Sequence, residues 1–309
     1  MDVILLSVQI LNGIQLGVLL FLVAAGLTLV FGILDVINLA HGALFMVGAY
    51  AGAVVAVASG SLALTILAAA AAALVVGVLL DRLVLRFLYD RGHLDQVLAT
   101  FGLLLFLNEA VRVTFGSAAR PFPVPEILDW SVTLPGGASY PAWRIAIIAV
   151  GLALALLMFL IIAGTRAGML VRAASTNAGI LELLGIDIHR LLLGTFGIGA
   201  ALAGFAGAMA GPIAAIQPGM GDHILILAFV VIVIGGTGSV QGALLGSLLV
   251  GLCDSLGRAF LTDGVRLLLP PSAANEIGPA IASMLMYLVM AAVLLVRPEG
   301  LLPARRPSR

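Results

Sequence analysis

The sequence predicts an all-α fold, a polytopic transmembrane helical bundle of about 8–9 spans with broken or re-entrant segments. Three observations carry that prediction. Hydrophobic residues make up 62% of the 309 residues and charged residues 10%, with a mean hydropathy of +1.22, values that soluble domains do not reach. Apolar runs recur from end to end, most of them near the ~20 residues that cross a bilayer as helix. A membrane β-barrel would alternate in short segments instead. Glycine also recurs at every fourth position, in Gly13/Gly17, Gly48/Gly52, Gly207/Gly211 and Gly238/Gly242/Gly246. Residues so spaced share one helix face, and small ones let helix backbones approach closely in a membrane.

In chain order, the first span covers 3–31. Residues 1–11 have no basic segment and run straight into it, so no cleaved signal peptide is expected. Between Gly26 and Tyr50 the apolar pattern is interrupted by Asp35, Asn38 and His41, with Gly32 and Gly42 nearby. Each polar group left in hydrocarbon without a partner costs roughly 2–4 kcal/mol. The insert therefore reads either as a broken or re-entrant helix or as a short loop between two spans. Further spans are expected at 42–58, 62–80, 97–115, 145–163, 191–214, 224–234, 244–260 and 281–296. The segment 224–234 is too short to cross alone and is followed by the strong breaker Gly235-Gly236-Thr237-Gly238-Ser239. The whole of 1–309 reads as one membrane domain.

Arginine distribution orients the bundle, because positively charged short loops stay in the cytoplasm. Arg82, Arg86 and Arg91 form one cluster, Arg166, Arg172 and Arg190 a second, and Arg297, Arg305, Arg306 and Arg309 a third. These regions, and with them the C-terminus, are expected inside. The segment 116–142 carries Arg120 alone and is rich in proline, with Trp130 and Tyr140 inside it and Trp143 at its edge. It reads as an outward loop whose aromatic residues meet the membrane interface. Parity then requires two crossings between Asp222 and Arg258, and places the N-terminus outside if the Asp35–His41 insert turns at the inner face.

Several chemistries are excluded or disfavoured. Net charge is zero, which argues against a nucleic-acid partner. Cys253 is the single cysteine and His41, His93, His189 and His223 are scattered, so no metal site or other cofactor is expected. All 15 basic residues are arginine, and a phosphate-binding loop of the GxxxxGK type needs a lysine. Any ATP hydrolysis must come from a partner. The motifs of zinc proteases and serine hydrolases are also absent, which disfavours an enzyme.

The stretch 164–190 is polar enough to leave the membrane, yet keeps helical spacing at Met169, Leu170, Ala173, Ala174, Leu181 and Leu184. Ser175 and Asn177 are candidate caps of a short helix ending near Gly185. A short helix on the inner face is what a partner's groove receives, with a solvated connector as the plainer alternative. Within the spans, Glu109 and Arg112 stand i,i+3 beside Asn108, and Asp254 and Arg258 stand i,i+4. Both pairs read as local ion pairs. Thr28, Gln15 and Gln217 are single polar groups able to bond across helices.

Four segments resemble the permease subunits of branched-chain amino acid ABC importers, in the form with a short N-terminus. They are GLTLVFGILDVINLAHGALFMVGAY at 26–50, RAASTNAGILELLGIDIHRLLLGTFGIGAALAGFAGAM at 172–209, GGTGSVQGALLGS at 235–247 and LVRPEGLL at 295–302. The resemblance implies a multi-pass protein of a bacterial or archaeal cytoplasmic membrane. It implies a second, usually non-identical permease, two cytoplasmic ATP-binding subunits and an extracytoplasmic solute-binding protein as partners. Arg172, Asn177, Glu182 and Gly185 would lie in the segment that couples to the ATPase. Leu181 departs from the pattern, where a small residue such as alanine is expected. Asn38, His41 and Gly42 would shape the translocation pathway. The implied substrates are branched-chain amino acids or related amino acids and amides. The competing reading, an ion-coupled secondary transporter, requires an ionisable relay deep in the bundle, for which only Glu109 and Asp35 are available near span ends.

Overall fold

The computed structural model describes residues 3–34, 36–89, 91–266 and 270–303. Asp35, Arg305, Arg306 and Arg309 lie outside the described residues. Among the described residues there are ten α-helices: α1 Val3–Leu34, α2 His41–Ser59, α3 Leu62–Leu83, α4 His93–Phe115, α5 Ala142–Gly164, α6 Arg166–Leu183, α7 Ile188–Ala210, α8 Met220–Gly235, α9 Val240–Arg266 and α10 Pro271–Val296. A short antiparallel hairpin, β1 Ser131–Thr133 with β2 Ser139–Pro141, lies in the α4–α5 connection. Eight of the helices are long and apolar enough to cross a membrane, and α8 is the shorter apolar one.

The glycine spacing becomes the packing. α7 runs through the middle, touching α1, α2 and α3 at points where neither partner has a bulky side chain. A Cβ on Gly48 of α2 would lie 2.2 Å from the Cα of Gly204, and one on Gly26 of α1 would lie 2.5 Å from the Cα of Gly199. Gly77 of α3 sits equally tightly on Ala200. On another face of α1, Gly13 and Gly17 receive the backbone of α9 at Leu252 and Leu248. Gly242 and Gly246 of α9 seat α8 at Gly235 and Val231. At Gly77 a Cβ would meet the Ala200 Cβ, and at the other contacts it would displace backbone, so those seams are specific to glycine. Around them lies a continuous core that includes Phe21, Phe45, Tyr50 and Phe196.

Contacts sort the helix ends onto two faces. On one, which carries α6, the end of α1 at Ile33 joins Tyr89, Ala174, Leu181, Ile188 and Leu192 in an apolar cluster. The chain after α10 returns to the same face, where the Leu301 and Leu302 amides donate to the carbonyls of Ile234 and Gly235 at 2.8 and 2.9 Å. On the opposite face, Asn12 of α1 accepts from Tyr140 and Arg144, and Phe122 covers Gly211. The start of α1 therefore shares a face with the 116–141 connection, and residues 297–303 lie on the other. Tyr140 and Trp143 are buried and hydrogen-bonded, to Asn12 and to the Met209 carbonyl. Of the three aromatic residues expected at the interface, Trp130 alone is exposed. The other two pin the loop to the bundle.

α8 is the short apolar helix on which the choice between eight and nine spans turns. Its 16 residues reach about 24 Å, short of a ~30 Å hydrocarbon core. After α7, Ile216 pairs with Arg120 on the face opposite α6, and the chain then dips until the Gly219 amide meets the Met46 sulfur at 3.4 Å. α8 starts there, inside the bundle, and completes the return to the α6 face. With the irregular segment before it, α8 runs from one face to the other and packs against α9.

Candidate functional site

The first polar insert is a break in helix. α1 ends at Leu34, residues 36–38 are irregular, and α2 begins at His41 after a turn. The Asn38 side chain shapes that turn by accepting from the Ala40 amide at 3.0 Å. The Ile37 carbonyl accepts from the Thr100 hydroxyl at 3.3 Å, and Thr100 stands about 10 Å along α4 from its first residue at 1.5 Å per residue. The His41 ring lies 6.3 Å from that of Phe196, well inside α7. The break is thus within the bundle rather than at its surface, where irregular backbone must be enclosed by protein or wet.

Asn38 and His41 are fully buried. Among the described residues, the Asn38 amide nitrogen and both ring nitrogens of His41 have no hydrogen-bond partner within bonding geometry. Gly42 is needed for contact with α8, since a Cβ there would lie 2.7 Å from the Gly221 carbonyl oxygen. All three expected pathway residues therefore cluster where α2, α7 and the start of α8 meet.

The same region contains a residue that sequence reading passed over. Asp222, in the first turn of α8, receives the Asn108 amide nitrogen on both carboxylate oxygens, at 3.1 and 3.3 Å. Asn108 lies on α4, so this contact ties α4 to the short helix α8 across 114 residues. In the sequence Asp222 marked a span boundary. The available signal was a polar Asp222-His223 pair opening an apolar helix too short to cross. Glu109 and Arg112 form the expected pair at 2.7 Å with both side chains more than half exposed, and Asp254 pairs with Arg258 at 2.8 Å.

On the α6 face, the helix bends at Asn177, where φ is −161° and ψ is 97°. The Asn177 side chain caps the following turn by accepting from the Ile180 amide at 3.2 Å. Ser175, the other candidate cap, instead donates to the Arg172 carbonyl at 2.8 Å. The short helix closes at Gly185, whose φ of +80° suits glycine, with the Ile186 amide donating to the Leu181 carbonyl at 3.0 Å. Leu181 faces inward onto Tyr89, Ile188 and Leu192, which explains a large residue at that position. Ile180, Leu183 and Leu184 face out and are 54%, 89% and 71% exposed, beside exposed Glu182. Arg172 lines a cavity of about 750 Å³ with Gly32, Ser239 and Gln241.

The connection between α3 and α4 supports this element from below. The Tyr89 hydroxyl donates to buried Asp81 in a short hydrogen bond while its ring packs in the Leu181 cluster. Burial, reinforced by the Asp81 carboxylate, raises the Tyr89 phenol well above its ordinary range.

A multi-pass bundle with a broken helix and a short helix starting inside it, and a largely polar helix with exposed leucines on one face, has the build of a transporter's membrane subunit. The chain belongs to the family described as branched-chain amino acid transport system, permease component, which matches residues 9–294. It is 31% identical over 306 residues to the high-affinity branched-chain amino acid transport system permease protein BraD of Pseudomonas aeruginosa, covering 95% of this chain and 94% of that protein. The permease LivH of Escherichia coli K12, from a system of the same description, is 29% identical over 313 residues, covering 95% and 94%. The ribose import permease protein RbsC of the same strain is 26% identical over 280 residues, covering 87% and 81%. No solved structure matches the chain.

Proposed function

We propose that this chain, as a single membrane domain over 1–309, forms half of the translocation pathway of an ATP-binding-cassette importer for branched-chain amino acids or related amino acids and amides. A second, non-identical permease supplies the other half. Two ATP-binding subunits dock on the α6 face and hydrolyse ATP, and an extracytoplasmic solute-binding protein delivers the substrate. The α6 face, with the coupling segment 164–190 and the C-terminus, is cytoplasmic, and the loop 116–142 is outside a bacterial or archaeal inner membrane. Arginine placement supports this, with Arg82, Arg86, Arg91, Arg166, Arg172, Arg190 and Arg297 on or next to the α6 side.

The observation that carries the reading is the helix ending at Gly185. Leucine side chains at 183 and 184 lie open beside Glu182, on an element held rigid by its Asn177 cap and by Leu181 beneath. Such a surface fits a groove on a soluble partner. Asn38, His41 and Gly42 shape the route where α2 meets α8. Their unpaired polar atoms gain partners as that seam opens, so they control passage without gripping a particular side chain. A thiol placed at position 184, in a Cys253→Ala background, should cross-link to the ATP-binding subunit in the assembled complex. Cross-linking to neither ATP-binding subunit in any nucleotide state would contradict the docking.

A further inference from the structure

Asp222 stands about 20 Å along α8 from Gly235, at 1.5 Å per residue, and so falls inside a ~30 Å hydrocarbon core. A carboxylate at that depth is costly unless a cation, strong donors or water meet it, and such residues mark solute pathways. Four other carboxylates on the crossing helices have such partners. Glu109, Asp254 and Asp263 each hold an arginine, and Asp81 holds the Tyr89 hydroxyl. The hydrogen bonds described for the Asp222 carboxylate come from one neutral amide, Asn108.

Asn108 is left incomplete by this arrangement. Its amide nitrogen is committed to Asp222, while its carbonyl oxygen is buried and accepts no hydrogen bond among the described residues. Among the described residues the partly exposed Asp222 carboxylate thus has no positive partner, while Asn108 orients it. A primary ammonium, with three N–H groups and a full charge, complements that carboxylate. A neutral amide or urea supplies donors but leaves the carboxylate's charge uncompensated. Asp222 is partly exposed and His223 beside it is exposed, so the site opens on the surface of the chain at membrane depth.

We propose that Asp222, oriented by Asn108, is the station in the pathway that meets the ammonium group of the solute, selecting amino acids over uncharged amides. This rests on the importer reading above and deepens it. His223 is the neighbouring position from which the station's charge is felt.

The test uses the full complex, with its own permease, ATP-binding and solute-binding partners, in a Cys253→Ala background. A thiol is placed at position 223, and its rates with a cationic and an anionic methanethiosulfonate reagent are compared, each normalised to a free thiol in solution. The expected result is a cationic preference of about tenfold or more, as a focused negative site produces. It should fall towards unity in Asp222→Asn, which keeps the hydrogen bond to Asn108. Uptake of labelled leucine by the same complex without the position-223 thiol should drop about tenfold in Asp222→Asn and recover in part in Asp222→Glu. A merely structural contact predicts no change in either readout for Asp222→Asn. Equal reagent ratios with Asp222 and Asn, no labelling in any nucleotide state, or unchanged leucine uptake in Asp222→Asn would each overturn the station. Failure of the unmutated complex to import leucine, with the charge preference intact, would instead contradict the importer reading.

Discussion

Gly48 and Gly204 meet backbone to backbone: a Cβ added to Gly48 would lie 2.2 Å from the Gly204 Cα and 2.3 Å from its carbonyl oxygen. The contact joins α2, which follows the broken segment, to α7, which leads from the coupling helix into the membrane. The two regions assigned to passage and coupling therefore share one rigid seam.

Gly48→Ala should destabilise the protein by about 1–3 kcal/mol or more, because backbone cannot yield as a flexible side chain does. Gly102→Ala provides the contrast, since nothing lies within 4 Å of a Cβ there, and it should be neutral or stabilising by up to ~1 kcal/mol. Thermal unfolding of the two variants in detergent checks the ordering. Equal melting behaviour would show that the α2–α7 contact is loose.

Tyr89→Phe should destabilise the α6 face by about 1–3 kcal/mol by leaving buried Asp81 without its donor. The sign of the pH effect follows from the raised Tyr89 pKa. The neutral phenol is favoured in the folded state, so its contribution is complete below the ordinary tyrosine pKa of ~10 and is lost as pH rises above that. Melting curves from neutral to alkaline pH should fall more steeply for the parent than for Tyr89→Phe. Parallel curves would contradict this role for the hydrogen bond.

Much of this architecture was legible because membrane helices advertise themselves by length and by small-residue spacing. Gly13/Gly17 and Gly242/Gly246 marked helix contacts, but pairing them with Leu252, Leu248, Gly235 and Val231 required coordinates, since spacing names a face and not its partner. Asn177 and Gly185 were readable as caps because both act within one turn of chain. Ser175 was not, because a serine that bonds back to a carbonyl and one that caps look alike in sequence. Tyr140 and Trp143 were misplaced at the interface because their partners, Asn12 and Met209, are remote in the chain. Asp222 was passed over for the same reason, its meaning depending on Asn108.

Glu182→Arg or Gly185→Arg should abolish uptake while leaving membrane insertion intact. Gly185 has φ +80° and open space around it, so a side chain strains the helix end and projects into the partner's groove. Co-purification of the ATP-binding subunit should fall with uptake. Normal uptake together with normal co-purification would reduce 164–190 to a connector.

Asn38→Leu and His41→Leu should each lower uptake sharply for every accepted solute, with relative preference little changed. Thiols placed at 38 and 41, in a Cys253→Ala background, should react with a small polar reagent in at least one nucleotide state, when the α2–α8 seam opens. A selective loss of one solute, or thiols that stay inert throughout, would contradict a role in shaping the route.

The most direct test is uptake of labelled leucine into vesicles containing this chain with its second permease, ATP-binding and solute-binding partners. Accumulation should require ATP at the ATP-binding subunits and the presence of all partners, and the chain purified alone should hydrolyse no ATP. Accumulation by the chain alone, driven by an ion gradient without ATP, would contradict the account.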